Sequence, residues 1–345
     1  MTTEHNLNNC QLFHGDCLEV LTKIPDNSVD LVATDPPYFG VKKNSWDNQW
    51  PDVESFLAWL DEVLCHVYRV LKPTGSLYLF CSPQLSAETE LLIKERFDVL
   101  NHIVWAKPSG MYMRHCKENL RSFASQTERV IFAQHYNADG YAKGSVGYSQ
   151  KREKAKQSAF APIINYLKKA RADLKISAKA INEATGTQMC SHWFSESQWK
   201  LPTKEQYETL QVLFAGYAKD KLNPLYRDYE DVTHEIKGLT VDYDALKEEF
   251  ELARRYFKVS KAVQYTDVWD FKVVQPYPGK HVCEKPSEMM EHIITSSSRP
   301  GDVVLDAFLG SGSTAKAALK LGRKVIGIEF EEEMFLKTKA EIEEM

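Results

Sequence analysis

The stretch LVATDPPYFG, residues 31–40, ends an apolar run with an aspartate, two prolines and a tyrosine. Pro36 and Pro37 have no backbone N–H and hold φ near about −65°, so the chain is stiff here and cannot continue as a paired strand. The Asp35 carboxylate and the Pro36 carbonyl are then hydrogen-bond acceptors held in place for something other than a neighbouring strand, and Tyr38 adds an aromatic face beside them.

A second constellation lies near the other end. VVLDAFLGSGSTAKAALKLGRKVIGIEF, residues 303–330, reads as strand, glycine turn, helix and strand. Gly310 and Gly312 permit a tight turn and close approach of a ligand to the backbone, and the helix start at Ser313 and Thr314 favours a negative group. Glu329 ends the second strand nineteen residues after Gly310, where an acid can accept hydrogen bonds from ribose hydroxyls. The same glycine turn fits the dinucleotide fingerprint of dehydrogenases. Those enzymes need several further strands after the unit, whereas only fifteen residues follow Phe330, and they read as one helix. The remaining strands must therefore come from the N-terminal half.

The elements that carry these groups are legible from periodicity. VDLVAT (29–34), GSLYLFCS (75–82), FDVLNHIVWAK (97–107) and ERVIFAQ (128–134) read as strands, and residues 53–72 as a helix ending before Pro73 and Gly75. This is the alternation of a parallel α/β sheet. From about 141 the texture becomes lysine-rich and helical, persisting to about 262; from YTDVWDF (265–271) the α/β texture returns, with strands at 302–308 and 324–330 around a helix at 314–322. The expected division is 1–140, an inserted helical domain over 141–262, and 263–345.

Bulk properties exclude several classes. The 345 residues are 43% hydrophobic and carry a formal charge of −5, with no run long enough to span a membrane and no signal-peptide pattern, which reads as a cytoplasmic protein. Seven cysteines without a C-x-x-C pair suggest reduced thiols rather than disulfides or zinc. No H-E-x-x-H or G-x-S-x-G motif occurs, and no metal is expected.

Taken together, the motifs resemble those of the β class of S-adenosylmethionine-dependent DNA amino methyltransferases. Asp35-Pro36-Pro37-Tyr38 is similar to that family's catalytic motif, and Asp306-Ala307-Phe308-Leu309-Gly310-Ser311-Gly312 to its D-x-F-x-G-x-G cofactor motif, in the β-class order with a target-recognition segment between them. The resemblance covers roughly residues 10–135 and 265–340. It implies a circularly permuted Rossmann-like sheet with S-adenosyl-L-methionine held by Asp306, Phe308, Gly310, Ser311, Gly312, Ser313, Thr314 and Glu329. HGDCLEVL (14–21) is similar to the family's G-D-x-L segment and places Asp16 near the adenine of the cofactor. HVCEKPSEMMEHII (281–294) is similar to its H-P-T-x-K-P segment, implying that Lys285 and Pro286 border the methionine end. Val282, Cys283 and Glu284 depart from the pattern, and Lys285 also reads as a simple helix-start residue.

The chemistry fits the residues. An exocyclic amine on adenine is a poor nucleophile because its lone pair is delocalised into the ring. Acceptors for both N–H groups draw the nitrogen toward sp³ and free the lone pair, which is work for Asp35 and the carbonyl of Pro36, with Pro37 stiffening the turn. Tyr38 offers a face for a flipped base, and stacking of that kind contributes about 1–3 kcal/mol. In the family D-P-P-Y goes mostly with adenine N6 and S-P-P-Y mostly with cytosine N4, so adenine N6 in double-stranded DNA is expected and cytosine N4 is the alternative. The absence of Pro-Cys argues against methylation at cytosine C5. Methyltransferases acting on RNA or protein glutamine usually carry N-P-P-Y with the glycine motif first. A further alternative is a DNA-binding protein with a silent methyltransferase fold. The resemblance also implies a restriction-modification setting and a homodimer.

Residues 141–200 carry eleven Lys or Arg against four Asp or Glu, a net of +7 that suits a DNA-facing surface, with Lys151, Arg152 and Lys154 as phosphate contacts. Within the segment, residues 176–194 are similar to a helix-turn-helix of phage-repressor type with Gly186 in the turn, which would point Gln188, Ser191, His192 and Ser195 at bases. A plain helical hairpin with Trp193 and Phe194 packed inward reads equally well, as does His192 in a core or capping role. NSWDNQW (44–50) reads either as a loop closing over the target base or as a surface loop with buried tryptophans.

Overall fold

The computed structural model describes residues 2–40, 47–107, 121, 123, 125–135, 148–196, 199–219, 221–252, 255–259, 265–278, 281 and 283–345. The chain divides into two compact units, one formed by Met1–Ala138 with Arg254–Met345 and the other by Asp139–Ala253.

Among the described residues the first unit has nine strands: β1 (Thr3–Leu7), β2 (Cys10–His14), β3 (Val29–Thr34), β4 (Leu71–Cys81), β5 (Phe97–Ala106), β6 (Thr127–His135), β7 (Val268–Trp269), β8 (Val303–Asp306) and β9 (Lys324–Glu329). Their order in the sheet is β1-β2-β9-β8-β3-β4-β6-β5-β7. The parallel sheet expected from sequence is a mixed one. β2, β9, β8, β3 and β4 run parallel, but β6 lies antiparallel to both β4 and β5, and β1 antiparallel to β2. Antiparallel neighbours need no helical crossover, and β6 enters the sheet between β4 and β5 rather than at its edge.

The helices of this unit among the described residues are α1 (Cys17–Leu21), α2 (Val53–Val70), α3 (Ser86–Lys94), α10 (Ser287–Ser297), α11 (Ser313–Lys320) and α12 (Glu332–Glu343). The alternation of side chains along the strands feeds two cores. Val32, Leu77, Leu79 and Ile131 meet Phe56, Leu60, Val63, Leu64 and Val67 of α2 on one face. Leu31, Ala33, Tyr78, Phe80 and Phe132 meet Met289, Met290, Ile293 and Ile294 of α10 and Ala315 and Ala318 of α11 on the other. Each large side chain buried this way contributes about 1.5–3 kcal/mol. α2 starts where Asp52 accepts the Ser55 amide at 2.7 Å and ends at Val70, two residues short of the periodic pattern, because Leu71 and Lys72 already belong to β4 ahead of Pro73.

The second unit contains α4 (Tyr148–Ala159), α5 (Ala161–Leu174), α6 (Ala178–Thr185), α7 (Cys190–Trp193), α8 (Lys204–Ala218) and α9 (Tyr229–Leu252) around a core of its own. α8 opens with a reciprocal capping box between Thr203 and Gln206. The helical texture is expected to reach 262, but α9 ends at Leu252, and residues 255–259 form neither helix nor strand and belong to the first unit. There Arg255 is buried with its guanidinium 5.3 Å from the Phe132 ring centre, and Phe257 stacks on Phe132 at 5.5 Å.

Candidate active site

The two chemical motifs, 270 residues apart in the chain, end neighbouring strands: β3 pairs with β8 in parallel, Leu31 opposite Val304 and Val32 opposite Leu305. From β8 the chain crosses through α11 to β9 on one side, and from β3 through α2 to β4 on the other, so the carboxyl ends of β3 and β8 flank a switch point where open α/β sheets bind ligands. A buried hydrogen-bond bridge ties the motifs together. The Thr34 hydroxyl donates to Asp306 Oδ1 at 2.8 Å and accepts from the Ala307 amide at 3.0 Å, and Phe308 N donates to the same Asp306 oxygen at 3.1 Å. Burial pushes the Asp306 carboxyl up to about 6, against the Thr314, Thr34 and Phe308 hydrogen bonds that favour its ionised form. Asp306 thus braces the two loops as well as lining the site.

The turn after β8 is shaped by positive φ at Gly310 (+49°) and Gly312 (+71°). Gly312 is the residue before α11, and a Cβ there would lie 2.5 Å from the Thr338 methyl of α12. The Thr338 hydroxyl donates to Gly310 O at 2.7 Å. Glu329, at the end of β9, accepts the Gly310 amide on Oε2 at 2.7 Å and the Glu331 amide on Oε1 at 2.8 Å; burial raises its carboxyl above the usual range against those two bonds. Each oxygen keeps a second lone pair for a ligand hydroxyl. Asp16 caps α1 by accepting Leu18 N at 2.8 Å, directly after Gly15, whose amide donates to Glu329 O at 2.9 Å. The Thr314 hydroxyl reaches Ala33 O at 3.4 Å, the Ser311 and Ser313 hydroxyls pair at 3.0 Å, and Phe308 packs 5.7 Å from the Trp59 ring.

At the end of β3 the Asp35 side chain is engaged on both oxygens. The Tyr38 hydroxyl donates to Oδ1 at 2.7 Å, and the Lys285 ammonium, just before α10, pairs with Oδ2. Lys285 Nζ also stands 3.5 Å from Glu128 Oε2 of β6 and over the Tyr38 ring at 5.5 Å. Glu128 Oε1 pairs with the Lys107 ammonium. Burial raises the Asp35 carboxyl, and Glu128 adds to this, against the pull of Lys285. For Glu128 burial acts the same way, but Lys285 and Lys107 outweigh it and the carboxyl lies below its usual range. The loop after the motif is braced by Asp47, fully buried, which accepts Tyr38 N at 2.7 Å and, through its carbonyl, Gly40 N at 2.8 Å. Phe39 sits at φ +60°, a strained conformation for a bulky side chain, packed on Phe56 at 5.8 Å.

Both constellations line one cavity of about 410 Å³ within the first unit. A model of a DNA methylase family matches residues 29–340. The chain belongs to the N6/N4 DNA methylase family. It is 26% identical over 327 residues to the DNA adenine methyltransferase YhdJ of Escherichia coli (strain K12), covering 93% of this chain and 79% of that one. It is likewise 26% identical over 328 residues to the type II methyltransferase M1.MboII of Moraxella bovis, covering 92% and 90%. Among solved structures, the cytosine-N4-specific PvuII DNA methyltransferase shares the fold at a TM-score of 0.52 and 14% identity, over 97% of this chain and 86% of that one. This methylase is a site-specific DNA methyltransferase with S-adenosyl-L-methionine as its cofactor.

The methylase's cavity suits that cofactor by size, since sites for ligands of this class run about 300–1,000 Å³. It suits it by chemistry too: Gly310 offers a bare backbone, Glu329 and Asp16 offer carboxylate acceptors, and all three line the cavity. Asp35, Pro36, Pro37, Tyr38, Lys285, Asp306, Phe308, Ser311, Ser313 and Thr314 line it as well. Pro286 is buried at the start of α10, and Gly312 lies behind the turn against α12. Lys285 stands at a helix start, and its ammonium is directed to the Asp35 carboxylate. Asn44, Ser45, Trp46 and Val282 lie outside the described residues; Trp50 packs on Trp59 at 4.6 Å.

The residues expected to meet DNA lie in the second unit, as described by itself. α6 is capped by Ser177 and ends at Gly186 with φ +63°, and α7 is a four-residue helix whose Trp193 is buried with Phe194 in the helical core. Gln188 and Ser191 are exposed, with the Gln188 side chain accepting from Asn182 Nδ2 at 3.0 Å, while His192 and Ser195 are half-buried. Lys154 is exposed on α4; the side chains of Lys151 and Arg152 lie outside the described residues. Sequence reasoning missed Glu128, Lys107, Asp47 and Thr34 near the Asp35 carboxylate. Glu128 begins a strand as an isolated acid beside Arg129, a pattern that ordinarily reads as a solvated strand end.

If Glu329 orders the glycine turn and binds ribose, Glu329→Ala weakens S-adenosylmethionine binding by about 10- to 100-fold, the loss expected from one or two charge-assisted hydrogen bonds. Isothermal titration calorimetry checks this, and an unchanged dissociation constant would remove Glu329 from the cofactor site.

Proposed function

We propose that this methylase transfers the methyl group to N6 of an adenine turned out of double-stranded DNA. The observation that carries the reading is the aspartate of the catalytic motif. Asp35 stands at the end of β3 beside the glycine turn of β8, in the same cavity, with its carboxylate anchored by Tyr38 and Lys285. When bound, the cofactor supplies a methyl group already activated on a sulfonium.

The chain's own residues do the rest. Asp35 and the Pro36 carbonyl accept the two amine N–H groups and hold the nitrogen with its lone pair toward the donor. Tyr38 presents an aromatic surface for the everted base. Gly310, Glu329 and Asp16 grip the nucleoside part of the cofactor, and the Thr34–Asp306 bridge keeps both loops at one spacing. The YhdJ relative is named for adenine, which agrees with the aspartate; the PvuII relative is named for cytosine N4, the second reading.

The second unit is the proposed target-recognition domain. Its support is the net +7 over residues 141–200 and the exposed Gln188 and Ser191 beside the Gly186 turn. Expression in a methylation-free host followed by sequencing of modified bases tests the whole reading. N6-methyladenine confined to one motif is the expected result, N4-methylcytosine would overturn the choice of base, and unmodified DNA would overturn the activity. The confinement to one motif should relax when Gln188 and Ser191 are both replaced by alanine.

A further inference from the structure

The donors that cover Asp35 share a second acceptor. The Tyr38 hydroxyl lies 2.7 Å from Asp35 Oδ1 and 3.2 Å from Glu128 Oε2. The Lys285 ammonium pairs with Asp35 Oδ2 and stands 3.5 Å from that same Glu128 oxygen. Glu128 is anchored through its other oxygen by Lys107, and the Glu128 and Lys285 side chains are only 16% and 9% exposed. One carboxylate atom is thus within reach of both groups that occupy the catalytic carboxylate.

We propose that Glu128 is a positioning residue that receives the Tyr38 hydroxyl or the Lys285 ammonium as the target amine arrives, so that Asp35 exchanges one of those donors for the amine N–H it accepts. The inference rests on the amine-methylation reading above. Without a second acceptor, the amine N–H would share the Asp35 carboxylate with a charge-assisted bond from a buried cation, and a cation displaced from it would lose its partner in a poorly hydrated site. With Glu128 in place the donors move between two carboxylates and neither is stranded. No covalent bond is made or broken in this exchange, and the net charge of Asp35, Glu128, Lys285 and Lys107 is unchanged.

Among the described residues, the charged and titratable groups acting on Asp35 are Lys285 ahead of α10, Tyr38 on its own loop, Glu128 of β6, Cys81 of β4 and Asp306 of β8, with Lys107 of β5 and Arg129 of β6 behind them. Glu128 opposes ionisation of Asp35. Removing its charge therefore leaves Lys285 bound to Asp35 alone and makes Asp35 more acidic.

The test is Glu128→Gln, which keeps the shape and removes the charge. Single-turnover methyl transfer is expected to fall by about 10- to 100-fold with cofactor affinity held within about twofold. The acid limb of the rate profile moves down by about one pH unit, and the ¹³C carboxyl titration of Asp35, assigned with Asp35→Asn, moves with it. Adding Lys285→Met to Glu128→Gln should cost nothing further, because the trapped cation is then gone. Wild-type rates in Glu128→Gln, an unmoved acid limb, or a double variant reduced by the product of the two single losses would each overturn the proposal. Failure of the wild-type chain to methylate any DNA would sink the functional reading instead, and the Asp35 titration would still decide the exchange.

Discussion

Replacing Asp35 with alanine is expected to lower the rate of methyl transfer by at least about a thousandfold and to leave cofactor affinity within about threefold of wild type. That exceeds the loss seen when a single preorganised polar group is removed from a site where charge develops, about 2.7–4 kcal/mol or roughly 100- to 1,000-fold. In the proposed reaction Asp35 would do more than accept one hydrogen bond, because the amine it would activate has almost no basicity of its own. The cofactor half of the cavity is built from β8, β9 and the α1 cap and draws no hydrogen bond from Asp35 among the described residues, so binding should survive. Asp35→Asn is the control for shape. It retains an acceptor oxygen but cannot hold Lys285 by charge, and it should be almost as inactive. Methyl transfer to DNA in a single turnover and calorimetric cofactor binding separate the two effects. Turnover retained in Asp35→Ala would remove the residue from the chemistry. The wild-type pH dependence has a definite sign. Burial raises the Asp35 carboxyl and the active form is the ionised one, so activity is lost as pH falls, and the loss begins above the usual carboxylate range.

The second large effect is expected from Gly312→Val. At φ +71° any L side chain is strained, by roughly 1–3 kcal/mol. The new Cβ would also lie 2.5 Å from the Thr338 methyl, with Ile342 of α12 behind it at 3.8 Å. α12 would have to move, and with it the Thr338 hydroxyl that closes the turn on Gly310 O. Overpacking of this kind costs roughly another 1–3 kcal/mol. The variant should therefore melt several degrees below wild type and bind cofactor at least about tenfold more weakly, as read by thermal unfolding and calorimetry with and without ligand. The stabilisation that saturating cofactor adds to wild type should be much reduced. An unchanged melting temperature would show that the turn tolerates a side chain and that its glycine is not sterically required.

The sequence by itself determined the parts whose cause is local. Proline chemistry stops β3 at Asp35, glycines turn the chain after β8, and short apolar runs bounded by turn residues make the strands, so each of these needs only the residues beside it. The order of the two motifs along the chain also told which half of the sheet each one belongs to. The tertiary structure decided everything that depends on which strands become neighbours. It seated β6 antiparallel between β4 and β5, ended the helical texture at Leu252 so that Arg255 packs on Phe132, and turned Asp306 into a brace to Thr34. It also brought Lys285 and Glu128 to Asp35 across 250 and 93 residues of chain. Such a charge cluster leaves no local trace, since no periodicity or turn signal records which lysine will neutralise a buried carboxylate. Only the requirement that each buried charge find a partner at hydrogen-bond distance selects it, and that requirement acts once the sheet has assembled.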